Sequence, residues 1–94
     1  MIRDYESMII ISPDLSPDEI EKENNSILDF IKENGGEIEN SEKWGKKTLA
    51  YEIKKKKEGY FFLNLFRMDT EKVNKLVSKY RINEKILRHN LIVK

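Results

Sequence analysis

The sequence predicts a single α+β domain of the ferredoxin-like class, a four-stranded antiparallel sheet with two helices on one face. Four stretches have the alternating or continuous apolar pattern of strands, and two have the three- and four-residue apolar spacing of helices. Their order along the chain is strand, helix, strand, strand, helix, strand. The chain has 94 residues, 38% of them hydrophobic, which is enough for one core and too little for two. We therefore expect one domain over residues 1–94.

The first strand and the first helix are predicted from residues 5–36. Residues 5–11 are rich in β-branched and aromatic side chains and end at a Ser-Pro-Asp turn, as buried strands do. The segment Ser-Pro-Asp-Glu at 16–19 supplies a helix cap, a proline suited to the first helical position and a capping-box glutamate. Apolar residues then recur at helical spacing as far as Ile31, and the Gly35-Gly36 pair predicts a left-handed helix stop.

The second strand is predicted over residues 37–53. Apolar and polar residues alternate there, most clearly at Leu49, Tyr51 and Ile53, which predicts a long strand with one face buried. Residues 54–59, which include a run of four lysines, are predicted to form a connector.

The third strand, the second helix and the last strand complete the order. Residues 60–66 are apolar on almost both faces, which is typical of a central strand. A helix capped by Asp69 or Thr70 follows, and one apolar stripe along it is formed by Val73, Leu76, Val77 and Tyr80. Residues 86–93 form the last strand. We expect the first and third strands in the middle of the sheet, the charged strands at its edges and the face away from the helices open.

Composition argues against several classes of function. The chain has no cysteine and one histidine, His89, so there are neither thiolate ligands nor a histidine cluster for a metal. No Ser-His-Asp order, glycine-rich phosphate loop or His-Glu-x-x-His motif occurs. We expect no enzyme activity, cofactor, metal or small-molecule substrate. Without an export signal or a membrane-length apolar run, we also expect a cytoplasmic protein with no membrane partner.

Charge is divided unevenly along the chain. The net charge is +1, but residues 1–42 hold three bases against twelve acids, and residues 43–94 hold fifteen bases against five acids. The two segments therefore carry −9 and +10. This asymmetry favours a polyanionic partner, because cations that meet phosphates release counterions. A mixed solvated surface with uneven spacing would give the same counts.

Basic residues also bracket the second predicted strand. Lys43, Lys46 and Lys47 surround Trp44-Gly45, and the lysines of the connector follow at the far end of the strand. They could form a stripe matched to a phosphate backbone. Alternatively, lysines on an edge strand protect the sheet from aggregation. Trp44 could anchor a partner or pack into a bend of the strand.

The third predicted strand carries the aromatic run Tyr60, Phe61 and Phe62. It weakly resembles the strand of RNA-recognition domains that stacks bases, but ordinary central-strand packing explains the same rings.

A specific family resemblance lies at residues 45–54. The segment reads Gly-Lys-Lys-Thr-Leu-Ala-Tyr-Glu-Ile-Lys and resembles the signature of the bacterial ribosomal protein S6 family. Further matches are Arg-Asp-Tyr-Glu at 3–6, Gly-Tyr-Phe at 59–61 and Tyr-Arg-Ile-Asn-Glu at 80–84, so the resemblance covers essentially the whole chain. Asn90 departs from the family, whose last strand is normally apolar at that position.

The resemblance implies a structural constituent of the small ribosomal subunit with the same fold. It implies binding to the central domain of the small-subunit rRNA, in the platform region, as a heterodimer with ribosomal protein S18. Its RNA contacts would be directed at phosphates and shape. The positions that match as rRNA-binding are Arg3, Lys46, Lys47, Lys54, Lys55, Lys56, Lys57 and Arg88.

Two other functions are open to this fold. One is a free-standing regulatory or ligand-binding domain that pairs with itself. The other is a single-strand RNA-binding module that uses the aromatic run of the third strand.

Overall fold

The computed structural model describes all 94 residues and has the predicted order of elements. Its strands and helices are β1 (Ile2–Ile11), α1 (Pro17–Glu33), β2 (Glu37–Ile53), β3 (Lys56–Asp69), α2 (Thr70–Ile82) and β4 (Ile86–Val93). The strands form one antiparallel sheet in the order β2-β3-β1-β4. The two most apolar strands lie in the middle, so the predicted ferredoxin-like arrangement is confirmed.

Capping groups fix both helices at the predicted positions. The Ser16 hydroxyl accepts the backbone N–H of Glu19, and the Glu19 carboxylate accepts the backbone N–H of Ser16. Asp69 is the cap of α2, where its carboxylate accepts the N–H of Glu71 at 2.8 Å. Gly35 takes a φ of +80° immediately after α1, as the predicted left-handed stop requires.

The hydrophobic core lies between the helices and one face of the sheet. It is one cluster of 13 buried residues, to which every helix and the strands β1, β3 and β4 contribute: Tyr5, Ile9, Ile11, Ile20, Ile27, Ile31, Phe62, Phe66, Met68, Val73, Leu76, Tyr80 and Ile86. Val77, predicted to belong to the helical stripe, is only partly buried. Each helix turns a single stripe inward, and neither is long and apolar enough to cross a membrane.

Two polar contacts are built into this core. Asn24 of α1, Ser41 of β2 and Asn64 of β3 form a closed ring of three side-chain hydrogen bonds of 2.6 to 3.1 Å. The hydroxyls of Ser7 and Tyr80 bond at 2.9 Å. No buried side-chain nitrogen or oxygen lacks a partner. The ring thus ties the edge strand β2 to α1 and to the centre of the sheet.

The predicted boundaries around the basic connector are wrong. Only Lys54 and Lys55 form the turn, and Lys56 and Lys57 already belong to β3. A two-residue turn lets strand pairing resume at once, with Ile53 opposite Lys56. Gly59 is likewise a buried strand residue, where an added Cβ would collide with the Ile10 side chain. β1 also begins earlier than predicted, at Ile2.

Candidate nucleic-acid interface

The turn of the β2-β3 hairpin presents two cations in an unusual backbone conformation. Lys54 and Lys55 have φ values of +50° and +67°. Such two-residue turns favour Asn-Gly, because an L side chain in the left-handed region costs about 1 kcal/mol or more. Both lysines are exposed at the tip. The two lysines make this turn less stable than Asn-Gly would, but they place two positive charges at the tip of the hairpin.

The distal part of the hairpin, residues 48–57, folds over the sheet and is called the hairpin arm below. The Tyr51 hydroxyl accepts a hydrogen bond from Nη1 of Arg88 at 2.6 Å, and Nζ of Lys54 lies 3.4 Å from the Ile86 carbonyl oxygen. Both contacts reach β4, the edge strand on the other side of the sheet from β2. Arg88 pairs with Ile10 on the face away from the helices, so the arm crosses that face.

This crossing corrects two predictions. The face expected to be open is covered at its hairpin end, where a cavity of about 190 Å³ lies between the arm and the side chains of Ile10 and Phe61. Tyr51, expected on a buried strand face, is 62% exposed. The reason is length, because β2 has 17 residues and the central strand β1 only 10. The end of β2 therefore extends past the sheet, and its alternating pattern does not report burial in the core.

Seven of the eight predicted rRNA-binding residues gather at the hairpin end of the sheet. Six belong to the hairpin itself, and the seventh is fastened to the arm through Tyr51: Lys46, Lys47, Lys54, Lys55, Lys56, Lys57 and Arg88. Two of them are partly neutralised, since Lys46 lies 3.9 Å from Glu58 and Lys56 pairs with Asp14.

The other five cations at this end keep their full charge. Lys47 lies over the Trp44 ring at 5.6 Å, Lys54 donates to a backbone carbonyl and Arg88 donates to a hydroxyl, so each is held by an uncharged group. Lys55 and Lys57 are exposed and form no ion pair. A phosphate could meet these cations without first displacing a carboxylate.

The eighth residue, Arg3, lies at the opposite end of the sheet. It pairs with Met68, and seven residue-to-residue steps of extended strand lead from it to Ile10, about 23 Å at the usual rise. The residue after Arg3, Asp4, points to the opposite face of the sheet, where Arg67 donates to it at 3.0 Å, and this hydrogen bond holds the pKa of the Asp4 carboxyl below its usual value. Arg3 is exposed and forms no ion pair, but the structure does not bring it together with the other seven.

Trp44 stands beside the basic cluster on a β-bulge. The pairing register shifts between Lys43 and Gly45, where Gly45 has a φ of +85°. The indole N–H donates to the Glu42 carboxylate at 3.0 Å, and the side chain is 46% exposed. The ring is therefore held on the surface and not packed into the bend.

The aromatic run of β3 is not arranged for base stacking. The cross-strand partners show that Phe62 and Tyr60 face the helices, where Phe62 is 3% exposed and Tyr60 packs against the core. Phe61 faces the other way and lines the cavity under the hairpin arm. The geometry favours the packing interpretation of these rings.

Comparisons with known proteins assign this architecture to a family. A family model described as ribosomal protein S6 matches residues 4–94. The chain is similar to the small ribosomal subunit protein bS6 of Thermoanaerobacter pseudethanolicus, with 44% identity over 97% of this chain and 96% of that protein. It is 41% identical to the bS6 protein of Caldanaerobacter subterraneus, with the same coverage.

Solved structures give the same result. The crystal structure of 30S ribosomal protein S6 from Thermotoga maritima superposes with a TM-score of 0.95 at 34% identity, covering 100% of this chain and 89% of that chain. The C-terminal domain of the MgtC protein from Mycobacterium tuberculosis superposes with a TM-score of 0.67 at 10% identity. At that identity the second likeness concerns the fold alone.

Proposed function

The chain belongs to the ribosomal protein S6 family of the small subunit, and from that premise we propose that it binds the central domain of the small-subunit rRNA as a heterodimer with ribosomal protein S18. The family is one of ribosomal proteins and not of enzymes. The proposed role is architectural: the protein helps to hold an RNA fold in the platform region through phosphate contacts.

The gathering of seven cations at one end of the sheet carries this proposal. Seven of the fifteen basic residues of segment 43–94 converge on the hairpin end, while α1 carries acidic residues on its outer surface. Lys54 and Lys55 form the tip of the hairpin, and Arg88 is joined to the arm through Tyr51. Cations in this arrangement suit a phosphate backbone, since each contact releases condensed counterions without reading a base.

Two further features support a protein partner. Lys46 and Lys56 are engaged by carboxylates, so five of the seven cations at the hairpin end are free of ion pairs, and a second basic protein would extend this surface. Beyond the hairpin arm, the uncovered part of the sheet face carries a band of apolar side chains formed by Met8, Leu63, Leu65 and Ile92. Ile92 is 49% exposed. This band, with Trp44 at its edge, is the surface on which we place the S18 contact.

The test is the affinity for a central-domain rRNA fragment, with and without S18, at two salt concentrations. We expect weak binding alone, strong binding with S18 and weakening as salt rises. Lys54→Gln with Lys55→Gln should lower the affinity and make the slope of log K against log salt shallower by about 1.5, as the loss of two phosphate contacts implies.

The matched control removes the same charge from α2. Lys72→Gln with Lys75→Gln alters two exposed lysines of that helix, away from the hairpin end, and should leave the affinity and the slope unchanged. No gain from S18 at either salt would contradict the heterodimer. Equal losses in both double variants would contradict a localised interface.

A further inference from the structure

Tyr51 is exposed to solvent, yet its side chain makes two specific contacts with Arg88. A tyrosine that is 62% exposed on a projecting arm contributes little packing, yet its hydroxyl lies 2.6 Å from Nη1 of Arg88. The Arg88 guanidinium also lies 6.0 Å from the centre of the Tyr51 ring. One side chain therefore makes both a hydrogen bond and a cation–π contact to the same cation, which is itself exposed on β4.

The contacts with Tyr51 hold the Arg88 guanidinium in one position. A guanidinium has five N–H donors in a rigid fork, and the Tyr51 hydroxyl accepts from Nη1, so donors remain for a two-point contact with phosphate. Because the hydroxyl is neutral, Arg88 keeps its charge. Lys46, by contrast, lies beside the Glu58 carboxylate, whose negative charge repels an approaching phosphate. Arg88 is thus fixed in place without being neutralised.

The pair also joins two parts of the chain that the sheet does not connect. Strands β3 and β1 lie between β2 and β4, so no backbone hydrogen bond links the arm to Arg88. Ile10, the cross-strand partner of Arg88, lines the cavity under the arm. Lys54 reaches the backbone of β4 at Ile86, but the Tyr51 contact is the one that holds the guanidinium itself relative to the lysines of the hairpin tip.

We infer that Tyr51 is a positioning residue for RNA binding, which holds the Arg88 guanidinium beside the hairpin tip in the geometry that receives a phosphate group. This inference rests on the proposed function. It assigns Tyr51 no contact with RNA, and all of its effect on affinity passes through Arg88. Preorganisation of this kind raises affinity because a long, flexible side chain no longer has to be ordered on binding.

The experiment is a double-mutant cycle on the full chain with S18 and the central-domain rRNA fragment. Tyr51→Phe keeps the ring and removes only the hydroxyl, and we expect it to weaken binding about threefold to tenfold, the usual range for one net hydrogen bond. Arg88→Ala should weaken binding at least as much. In the Arg88→Ala background, Tyr51→Phe should have no further effect. Thr48→Val, another exposed position of the arm, is the control and should bind as the parent does.

A second measurement needs no RNA. In the free protein, ¹⁵N relaxation of the Arg88 Nε–H group reports its order, which should fall in Tyr51→Phe and stay unchanged in Thr48→Val. An unchanged order parameter in Tyr51→Phe would overturn the inference. So would an equal loss of affinity from Tyr51→Phe with and without Arg88, because Tyr51 would then contact RNA directly.

The variants distinguish a failure of the inference about Tyr51 from a failure of the proposed RNA-binding function. If Lys54→Gln with Lys55→Gln weakens binding while Arg88→Ala does not, the RNA interface stands and the role of Tyr51 is refuted. If neither variant weakens binding, the RNA interface at the hairpin end is refuted, and the inference with it.

Discussion

The two faces of the sheet are built from alternate residues of the same strands, yet they follow different chemistry. On the face covered by the helices, Ile9 and Phe66 are fully buried and every buried polar atom has a partner. On the other face, Met8 and Leu63 are only partly buried, and the hydrogen bonds and ion pairs, such as that of Arg67 with Asp4, are exposed to solvent.

The difference shows where stability and function are separated in this fold. A buried face tolerates no unpaired charge and few volume changes, so its residues are set by packing. The exposed face can carry cations, an exposed tryptophan and a turn of two left-handed lysines, because solvent meets their polar groups. The following predictions test whether the separation is as sharp as the geometry indicates.

Neighbouring residues of β1 give the largest expected contrast. Ile9→Ala removes a fully buried side chain and should lower the free energy of unfolding by about 2 to 5 kcal/mol. Met8→Ala lies on the opposite face and should cost about 1 kcal/mol or less. Urea denaturation measures both. Similar losses in the two variants would mean that the open face also acts as a core.

The pH dependence of stability provides the second contrast. Burial raises the pKa of Tyr80 from 10 to about 12. The folded state therefore favours the neutral phenol. Its contribution is complete below pH 10 and is lost as pH rises to about 12, which amounts to about 2 to 3 kcal/mol for a shift of two units. Tyr80→Phe also loses the hydrogen bond to Ser7, which lowers stability by a constant amount, so in chemical denaturation the difference between the parent and Tyr80→Phe should change with pH only above pH 10. Parallel curves would show that Tyr80 ionises normally in the folded protein.

Two asparagines on opposite faces test the polar ring. Asn64→Ala leaves the buried Asn24 and the more exposed Ser41 each without one of its hydrogen-bond partners, and should cost about 1 to 3 kcal/mol. Asn90→Ala removes an exposed side chain on the other face and should change stability by less than about 0.5 kcal/mol. Thermal unfolding of both variants decides the matter. A small effect at Asn64 would mean that water replaces the ring at little cost.

The same division explains how much could be predicted from sequence. Element order, both helix caps and the central strands follow from periodicity and capping chemistry, because burial imposes a repeating pattern on residues such as Ile27 and Ile31. The prediction that Tyr51 lies on a buried face was wrong. The residues around it alternate with the period of a buried strand face, but they belong to the part of β2 that extends past the end of β1.

The arrangement of the candidate interface was predictable only in part. The family resemblance named eight cations, and the hairpin brings seven of them together, but spacing along the chain does not show that Arg3 lies at the far end. Nor does it show which lysines are paired. The carboxylate of Asp14 is 42 residues from Lys56 in sequence, and such contacts depend on the folded geometry. A connector was predicted over residues 54–59, but its reduction to a two-residue turn at Lys54 and Lys55 was not, because four consecutive lysines carry no turn signal of their own.

Substitution of that turn should change stability only modestly, and it separates stability from binding at one site. Lys54→Asn with Lys55→Gly supplies the residues that the turn conformation favours and should raise the free energy of unfolding by about 1 kcal/mol, while RNA affinity falls. Lys54→Ala with Lys55→Ala removes the same two charges without relieving the backbone, so affinity should fall equally with no gain in stability. Urea denaturation and the rRNA binding assay measure the two quantities. If the Asn-Gly variant kept full affinity, the cations at the tip would have no part in binding, and the lysines would owe their place to something other than RNA.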